Sequence, residues 1–342
     1  MYIYIALVIL ILILGKRIKK NQYNIYDFIL IAFMILISGL RYGIGTDYAM
    51  YNSMYFNQNQ SNTAKVEIGY KILMKLAASI FGAKSYLFFL LCAIITVIPI
   101  YTTIKKYSNK PGESIFYFVT LGFYTLSFNM VRQSIAMAIT FFALRYLFDR
   151  KLLKYMITIL VASTFHITSL IMIPMYWISK IKFSQIANFG IVLSLLFSGI
   201  MFNAIFGYVT TKIPQYAMYA KYDNTIAGIG TYLVNITYIA LIVFAVINRK
   251  KIEQRNSNYF YIINMIIYSI FFIALSIKST LFARLIYYWF MPIVIVIPEY
   301  ILCASRNKRN TVQFVMVLAF CLFYFLNIYS FNGVYPYISI FN

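Results

Sequence analysis

The apolar run FILIAFMILISGL (Phe28–Leu40) leads directly into the polar stretch RYGIGTDYAMY (Arg41–Tyr51). The polar stretch brings one guanidinium, two glycines, one carboxylate and three phenols together at the end of a hydrophobic segment. Glycine reaches backbone conformations that other residues resist. We therefore expect a segment that turns out of a helix at a membrane edge and directs side chains and amides toward a ligand. The alternative for Arg41 is an arginine that only extends its charge to the interface.

The composition of the whole chain is that of a membrane protein. Of its 342 residues, 62% are hydrophobic and 11% are charged, a balance that a soluble protein of this size could not bury. Several apolar runs approach the roughly 20 residues that a bilayer core requires. The sequence predicts an all-α, polytopic integral membrane protein with about 10–12 transmembrane helices. We expect residues 1–342 to form a single domain.

The hydrophobic runs divide the chain into predicted spans. These are residues 2–14, 26–40, 85–104, 113–130, 133–148, 155–178, 185–206, 229–247, 259–277, 281–302 and 311–330. Val66–Phe81 differs, because Glu67, Lys71 and Lys75 recur every four residues and predict an external amphipathic helix. The segment 155–178 is interrupted by polar residues around His166, which predicts a broken or re-entrant hairpin, although its length also fits one tilted span.

The basic residues predict an orientation in the membrane. The chain has 30 Lys and Arg against 8 Asp and Glu, but no basic domain that would bind nucleic acid. With 16–20 in the cytoplasm, the alternation of spans places 19 basic residues on that side and ten on the other. This assignment requires the segment 155–178 to enter and leave on the cytoplasmic side.

Arg41, Arg132 and Arg284 are the arginines predicted to lie on the external side, each within a turn of the outer end of a span. Arginine forms planar, bidentate contacts with phosphate. Three arginines converging from separate helices would bind a diphosphate, whereas three independent interface anchors are the alternative. Gln133 follows Arg132 at the start of a helix, where anions are favoured, and Tyr288 follows Arg284.

Two carboxylates and one imidazole are candidates for acid–base chemistry on the same side. Asp47 and Glu67 are external carboxylates, and a structural salt bridge with an arginine is the alternative for Asp47. His166, the single histidine, lies in the interrupted segment and suits a base or a hydrogen-bond donor. A histidine that only packs between helices is the alternative. We expect no metal site, since the chain has no second histidine and its cysteines lie in apolar runs.

The order and spacing of these residues resemble the EpsG-type, Wzy-like polysaccharide polymerases over residues 40–290. The motifs that carry the resemblance are Arg41-x-x-x-Gly45-x-Asp47-x-x-x-Tyr51, Glu67-x-Gly69-Tyr70, Arg132-Gln133-x-Ile135-Ala136, Phe165-His166 and Arg284 ahead of Tyr287-Tyr288. The resemblance implies an enzyme of the bacterial cytoplasmic membrane with its active site on the external face. It would join oligosaccharide repeat units carried on undecaprenyl diphosphate into O-antigen, capsule or exopolysaccharide.

On this interpretation, Arg132 and Arg284 bind the donor diphosphate and Arg41 braces or shares that role. His166, Asp47 or Glu67 would activate the acceptor hydroxyl, with His166 and Asp47 favoured over Glu67. The residues expected to bind substrate are Arg41, Tyr51, Arg132, Gln133, Arg284 and Tyr288. The expected partners are the lipid-linked oligosaccharides and the bilayer, and a chain-length regulator and a flippase could act with the protein. No cofactor is expected.

Three other functions fit parts of the sequence. A flippase for lipid-linked oligosaccharides needs polar groups through the membrane depth and often has internal repeats, whereas here the polar groups gather at one face and no repeat is visible. An O-antigen ligase or a membrane acyltransferase would also use a histidine and several arginines. A non-enzymatic assembly subunit leaves the arginines unexplained.

Overall fold

The computed structural model describes residues 1–58, 66–181, 201, 207–208, 211–212, 228–277, 280–330 and 333–341. Within these ranges the regular secondary structure is helical and contains no strand, which confirms the predicted all-α fold. Four of the described helices are long and apolar enough to cross a membrane. The consecutive helices Phe282–Phe290 and Ile293–Cys303 are also long and apolar enough when taken together, although the chain bends by 61° between them. The chain is a multi-pass membrane protein. The predicted span 185–206 and the loop after it lie almost entirely outside the described residues.

The described residues form two compact units. Unit 1 comprises Met1–Ile173 and Val294–Asn342, and unit 2 comprises Pro174–Ile293. The helices of unit 1 before the division are α1 (Tyr2–Leu14), α2 (Ile25–Gly39), α3 (Tyr48–Phe56), α4 (Ile68–Phe81), α5 (Ser85–Tyr107), α6 (Pro111–Thr120), α7 (Phe123–Asn129), α8 (Val131–Phe148) and α9 (Leu152–Ser163), followed by a 3₁₀ segment (Ile167–Met172).

Unit 2 begins with a short helix and continues with longer ones after the gap in the described residues. Its helices are α10 (Met175–Ile178), α11 (Ile229–Ile247), α12 (Arg249–Glu253), α13 (Tyr259–Tyr268), α14 (Ile270–Ser276) and α15 (Thr280–Phe290). The chain then returns to unit 1 through α16 (Ile293–Cys303) and α17 (Arg309–Ser330).

Helices α1 and α2 form an antiparallel pair. Asn24 begins α2 with a capping box, in which its side chain accepts from the backbone N–H of Asp27 and the Asp27 carboxylate accepts from the backbone N–H of Asn24. The segment that follows α17 holds the other end of the pair together, because Tyr4 donates to the carbonyl of Val334 and Tyr337 donates to the carbonyl of Ile37. The polar stretch that begins at Arg41 therefore leaves α2 beside the start of α1.

The predicted span 113–130 is two helices rather than one. Gly122 has a φ of 86°, a left-handed conformation that glycine adopts without strain, and it separates α6 from α7. A single residue, Met130, then joins α7 to α8. The chain consequently makes a tight corner just before Arg132.

The interruption around His166 is a true break, and the chain folds back after it. Helix α9 ends at Ser163, and the 3₁₀ segment beginning at Ile167 packs against α9 and α8. The phenol of Tyr155, in the first turns of α9, donates to the carbonyl of Met172 at 2.6 Å. The segment therefore has the predicted hairpin form, with His166 at its turn.

Candidate active site

Three side chains from distant parts of the sequence meet in unit 1 around the carboxylate of Glu67. Oε2 of Glu67 accepts from Nη1 of Arg132 at 2.5 Å, and Oε1 lies 3.0 Å from Nδ1 of His166. The backbone N–H of Ile167 also donates to Oε1, at 3.4 Å. The side chains of Glu67, Arg132 and His166 are 12%, 20% and 13% exposed. The Glu67 group, as we name these three residues, is thus mostly buried, with a small part of each side chain exposed.

Each member of the Glu67 group lies at the beginning of a helical element. Glu67 precedes α4 in an extended conformation, with φ −63° and ψ 148°. Arg132 is the second residue of α8, directly after the corner formed by Met130. His166 precedes the 3₁₀ segment, also in an extended conformation. The breaks between helices, rather than the helices themselves, bring the three functional groups together.

The position of Glu67 corrects the interpretation of Val66–Phe81 as a helix with one exposed charged stripe. Helix α4 is amphipathic as predicted, with Met74 buried and Lys75 exposed, but it starts at Ile68 and so leaves Glu67 outside the helix. Its carboxylate turns inward to Arg132 instead of sharing a solvent face with the lysines.

Gly69 allows α4 to approach the turn that carries His166. The backbone N–H of Gly69 donates to the carbonyl of Thr164 at 2.7 Å. A Cβ atom at position 69 would lie 2.3 Å from Oγ1 of Thr164, closer than real Cβ atoms come to other atoms. Only glycine therefore permits this contact, which sets the spacing between Glu67 and His166.

Tyr51 extends the Glu67 group toward the polar stretch after α2. Its side chain is buried and hydrogen-bonded to that of Arg132. Its ring packs edge to face against Tyr70, with the centroids 5.9 Å apart. Burial raises the pKa of the Tyr51 phenol, which is therefore neutral at physiological pH. The guanidinium of Arg132 is thus held on two sides, by a carboxylate and by a neutral phenol.

Glu67 is ionised despite its burial. Burial alone would raise the pKa of Glu67, but the hydrogen bond with His166 and the charge of Arg132 outweigh it and lower the pKa to about 2. A carboxylate in this state is a poor proton donor at neutral pH. Its charge instead holds Arg132 in place and favours a proton on Nδ1 of His166.

Arg41 lies beneath the surface. Its side chain is 2% exposed, and its guanidinium donates to the carbonyl oxygens of Ser38 and Phe128, the latter at 3.2 Å. The rings of Phe89 and Phe128 lie 5.1 and 5.0 Å from the guanidinium carbon. This arrangement joins the end of α2 to the end of α7. A direct contact between Arg41 and substrate stays a prediction.

The polar stretch after α2 is docked on the corner before α8. Oδ1 of Asn129 accepts from the backbone N–H of Thr46 at 2.6 Å. Gly45 has a φ of +96°, and a Cβ atom there would lie 2.6 Å from the carbonyl oxygen of Phe128. The sequence predicts that a tight turn presents Asn129 together with Arg132 and Gln133, and in the structure the Asn129 amide holds the backbone of the polar stretch.

Nearly the whole chain matches the model of one protein family. The model of the EpsG family matches residues 24–339, which include every member of the site. The chain belongs to the EpsG family. No curated protein and no solved structure matches it.

In this EpsG protein, Asp47 stands apart from the Glu67 group. Asp47 is half-buried at the start of α3, and its Oδ1 accepts from the hydroxyl of Thr46 at 3.3 Å. No ion pair of Asp47 with an arginine is present in the described part of the chain, so the structural salt bridge considered from the sequence is absent there. Its role toward the acceptor stays a prediction.

The other predicted substrate ligands of the EpsG protein lie in two places. Gln133 is buried in the first turn of α8 and belongs to unit 1. Arg284 and Tyr288 lie on α15 in unit 2, where Arg284 is half-buried and Tyr288 is buried. The predicted convergence of Arg284 with Arg132 stays a prediction.

The Glu67 group gives the EpsG protein a cation, a base and a fixed anion side by side. A guanidinium binds phosphate oxygens, and an imidazole with its Nδ1 proton held by a carboxylate has its basic nitrogen at Nε2. Among the described residues, no three His, Cys, Asp or Glu side chains are grouped so that they could hold a metal ion. The arrangement can bind an anionic leaving group and accept a proton close to it.

Proposed function

We propose that this EpsG protein polymerises a polysaccharide by transferring a growing glycan from its lipid diphosphate to the next lipid-linked repeat unit. The observation that carries the proposal is the Glu67 carboxylate placed between Arg132 and His166. The family match supports a role in polysaccharide polymerisation. The protein would act in the bacterial cytoplasmic membrane, with this site on the external face.

In the proposed reaction, a hydroxyl of the incoming repeat unit attacks the anomeric carbon of the donor glycan. A new carbon–oxygen bond forms as the bond to the diphosphate oxygen breaks, through a transition state with oxocarbenium character. Negative charge develops on the departing lipid diphosphate. Arg132 stabilises that charge through its planar donors, and Arg284 would add a second guanidinium.

His166 removes the proton from the attacking hydroxyl. Nε2 accepts this proton while Nδ1–H remains bonded to Glu67, and the ionised carboxylate stabilises the imidazolium that forms. The proton then passes to solvent or to the diphosphate. Glu67 acts through its neighbours and not as an acid, because its pKa of about 2 keeps it charged.

Deletion of the gene in its host, with the surface glycan displayed on a gel, tests the polymerase proposal. A polymerase is required for the ladder but not for a single repeat unit, so we expect the ladder to disappear and one repeat unit to remain. Loss of all surface glycan would instead indicate a flippase or a ligase, and an unchanged ladder would refute the proposal.

Complementation of the deletion strain with Arg132→Lys tests the role of the guanidinium. Lysine keeps the charge but loses the planar fork, so we expect no ladder although the protein still inserts. Arg145→Lys is the matched control, because Arg145 lies on the same helix α8 and donates to the carbonyl of Phe142, away from the Glu67 group. A normal ladder with Arg132→Lys would refute the assignment.

A further inference from the structure

A cleft of about 430 Å³ lies in unit 1 between the ends of α1, α6 and α17. Four lysines line it: Lys16, Lys19, Lys20 and Lys110. None of these residues belongs to the Glu67 group, and the proposed transfer reaction does not use them. The cleft is therefore separate from the candidate active site.

The lysines give the cleft a net positive charge. The single carboxylate in its lining, that of Glu113, lies 3.1 Å from Nζ of Lys110, and the two charges compensate each other. Nζ of Lys20 donates to Oδ1 of Asn109 at 3.0 Å, and Nδ2 of Asn109 donates to Oε1 of Glu299, which lies outside the lining, at 2.9 Å. Lys16 and Lys19 are exposed. Three positive charges thus remain uncompensated within the lining, an arrangement that attracts an anion.

The backbone forms a close floor beneath these charges. A Cβ atom on Gly112 would lie 2.1 Å from the carbonyl oxygen of Gly15, so the start of α6 touches the end of α1. Helix α6 begins at Pro111, and both Pro111 and Gly112 line the cleft. The positive end of the α6 dipole therefore adds to the charge of the lysines.

One wall of the cleft is apolar and continues onto a lipid-facing surface. Leu12 from α1 and Val317 from α17 line it. Helix α17 belongs to a candidate membrane span, Arg306–Tyr329, and most of this span is not covered by other parts of the protein. Its Phe314 and Leu318 side chains are exposed. A small soluble anion would bury no apolar surface against this wall, whereas the acyl chain of a lipid would.

The cleft lies at the opposite end of the α1–α2 pair from Arg41. The part of its lining that α1 contributes lies at the end of that helix and just after it, whereas Arg41 follows α2 beside Tyr4, at the start of α1. If the Glu67 side of the protein is external, the cleft faces the cytoplasmic leaflet. Anionic lipids attract clusters of lysine there.

We propose that this cleft binds the phosphate headgroup of an anionic glycerophospholipid, with Lys16 and Lys19 on the phosphate and an acyl chain along Leu12 and Val317. This binding is separate from the transfer reaction and does not depend on it. Its consequence is that the lipid ties the ends of α1, α6 and α17 together and stabilises unit 1.

Native mass spectrometry of the purified full-length protein in neutral detergent tests this proposal, with phosphatidylglycerol as the probe. We expect a bound phosphatidylglycerol on the wild type and a roughly 10- to 30-fold weaker affinity for Lys16→Gln/Lys19→Gln, from about 1 kcal/mol per surface lysine. Lys106→Gln/Lys154→Gln is the matched control. Both of its lysines are exposed and neither lines the cleft, so its affinity should equal that of the wild type.

Two further probes separate the lipid from other ligands. Phosphatidylcholine, which has no net charge, should bind no better to the wild type than to the double variant. Millimolar inorganic phosphate should not displace phosphatidylglycerol. Equal binding of phosphatidylglycerol by all three proteins, equal binding of the two lipids, or displacement by inorganic phosphate would each overturn the proposal.

Discussion

The backbone N–H of Gly69 donates to the carbonyl of Thr164 at 2.7 Å, and this bond joins the start of α4 to the turn of the hairpin. Glu67 lies two residues before Gly69 and His166 two residues after Thr164. The contact therefore fixes the distance between the carboxylate and the imidazole without touching either of them.

Substitution of Gly69 by alanine should separate Glu67 from His166. The added Cβ would collide with Oγ1 of Thr164, so we expect a loss of about 1–3 kcal/mol in the free energy of unfolding, together with loss of the glycan ladder. Gly228→Ala is the control, because a Cβ there meets no atom within 4 Å. Thermal unfolding in detergent and the glycan gel measure the two effects. A normal ladder with Gly69→Ala would show that this spacing is unimportant.

The stabilising effect of the Glu67 carboxylate should depend on pH. Its pKa is lowered from 4.5 to about 2 in the folded protein, so the unfolded state binds the proton more readily. The stability that Glu67 adds is therefore complete above about pH 5 and is lost as the pH falls from 4.5 to 2.

The wild type should lose this advantage over Glu67→Gln, up to about 3 kcal/mol, across that pH range. Unfolding of both proteins in detergent at stepped pH values measures the difference. Asp149→Asn, which removes the carboxylate of an exposed ion pair with Lys151, is the control and should change stability little. A difference that stays constant from pH 6 to pH 3 would contradict the ionised state of Glu67.

Arg41→Lys should reduce stability more than it changes chemistry. Lysine cannot reach both the Ser38 and the Phe128 carbonyls, so we expect a loss of roughly 2–4 kcal/mol. The control is Arg17→Lys, since Arg17 is exposed. The thermal midpoint and the amount of inserted protein measure the effect. Full stability combined with weaker substrate binding would instead make Arg41 a substrate ligand.

Alanine substitutions at Gly43 and Gly45 test whether the polar stretch packs on the corner before α8 as the structure shows. Both have positive φ, so alanine at either position carries the same kind of backbone strain, about 1 kcal/mol. A Cβ at Gly43 meets nothing within 4 Å, whereas one at Gly45 meets the Phe128 carbonyl and Asn129. Thermal unfolding should therefore show Gly45→Ala to be clearly the less stable variant. Equal stability of the two variants would mean that the docked geometry is wrong.

Many of the helices were predictable from the sequence, because the length of an apolar run can be read from consecutive residues. The runs 2–14 and 229–247 match helices α1 and α11 at both ends. The break at His166 was predictable for the same reason, since several polar residues interrupt one apolar run. The division of the span 113–130 at Gly122 was not predictable, because a single glycine within an apolar run does not by itself indicate the end of a helix.

The contacts within the site were not predictable, because they depend on partners far away in the chain. A spacing of four residues assigned Glu67 to an exposed stripe, yet the helix starts one residue later and the carboxylate turns to Arg132. The sequence favoured His166 and Asp47 over Glu67 as the group that activates the acceptor, and that preference stays a prediction. It also could not show that Arg41 is buried, because the Phe128 carbonyl that receives its guanidinium is 87 residues away.

The proposed reaction depends on His166, held by Glu67, to accept the proton of the attacking hydroxyl. The most direct measurement is polymer formation from a lipid-diphosphate-linked repeat unit by the purified protein in liposomes, comparing the wild type with His166→Gln. We predict that the variant binds the repeat unit and unfolds at a temperature near that of the wild type, but forms polymer at least 100-fold more slowly, a typical general-base contribution. Polymer formation by His166→Gln at the wild-type rate would show that His166 is not the base.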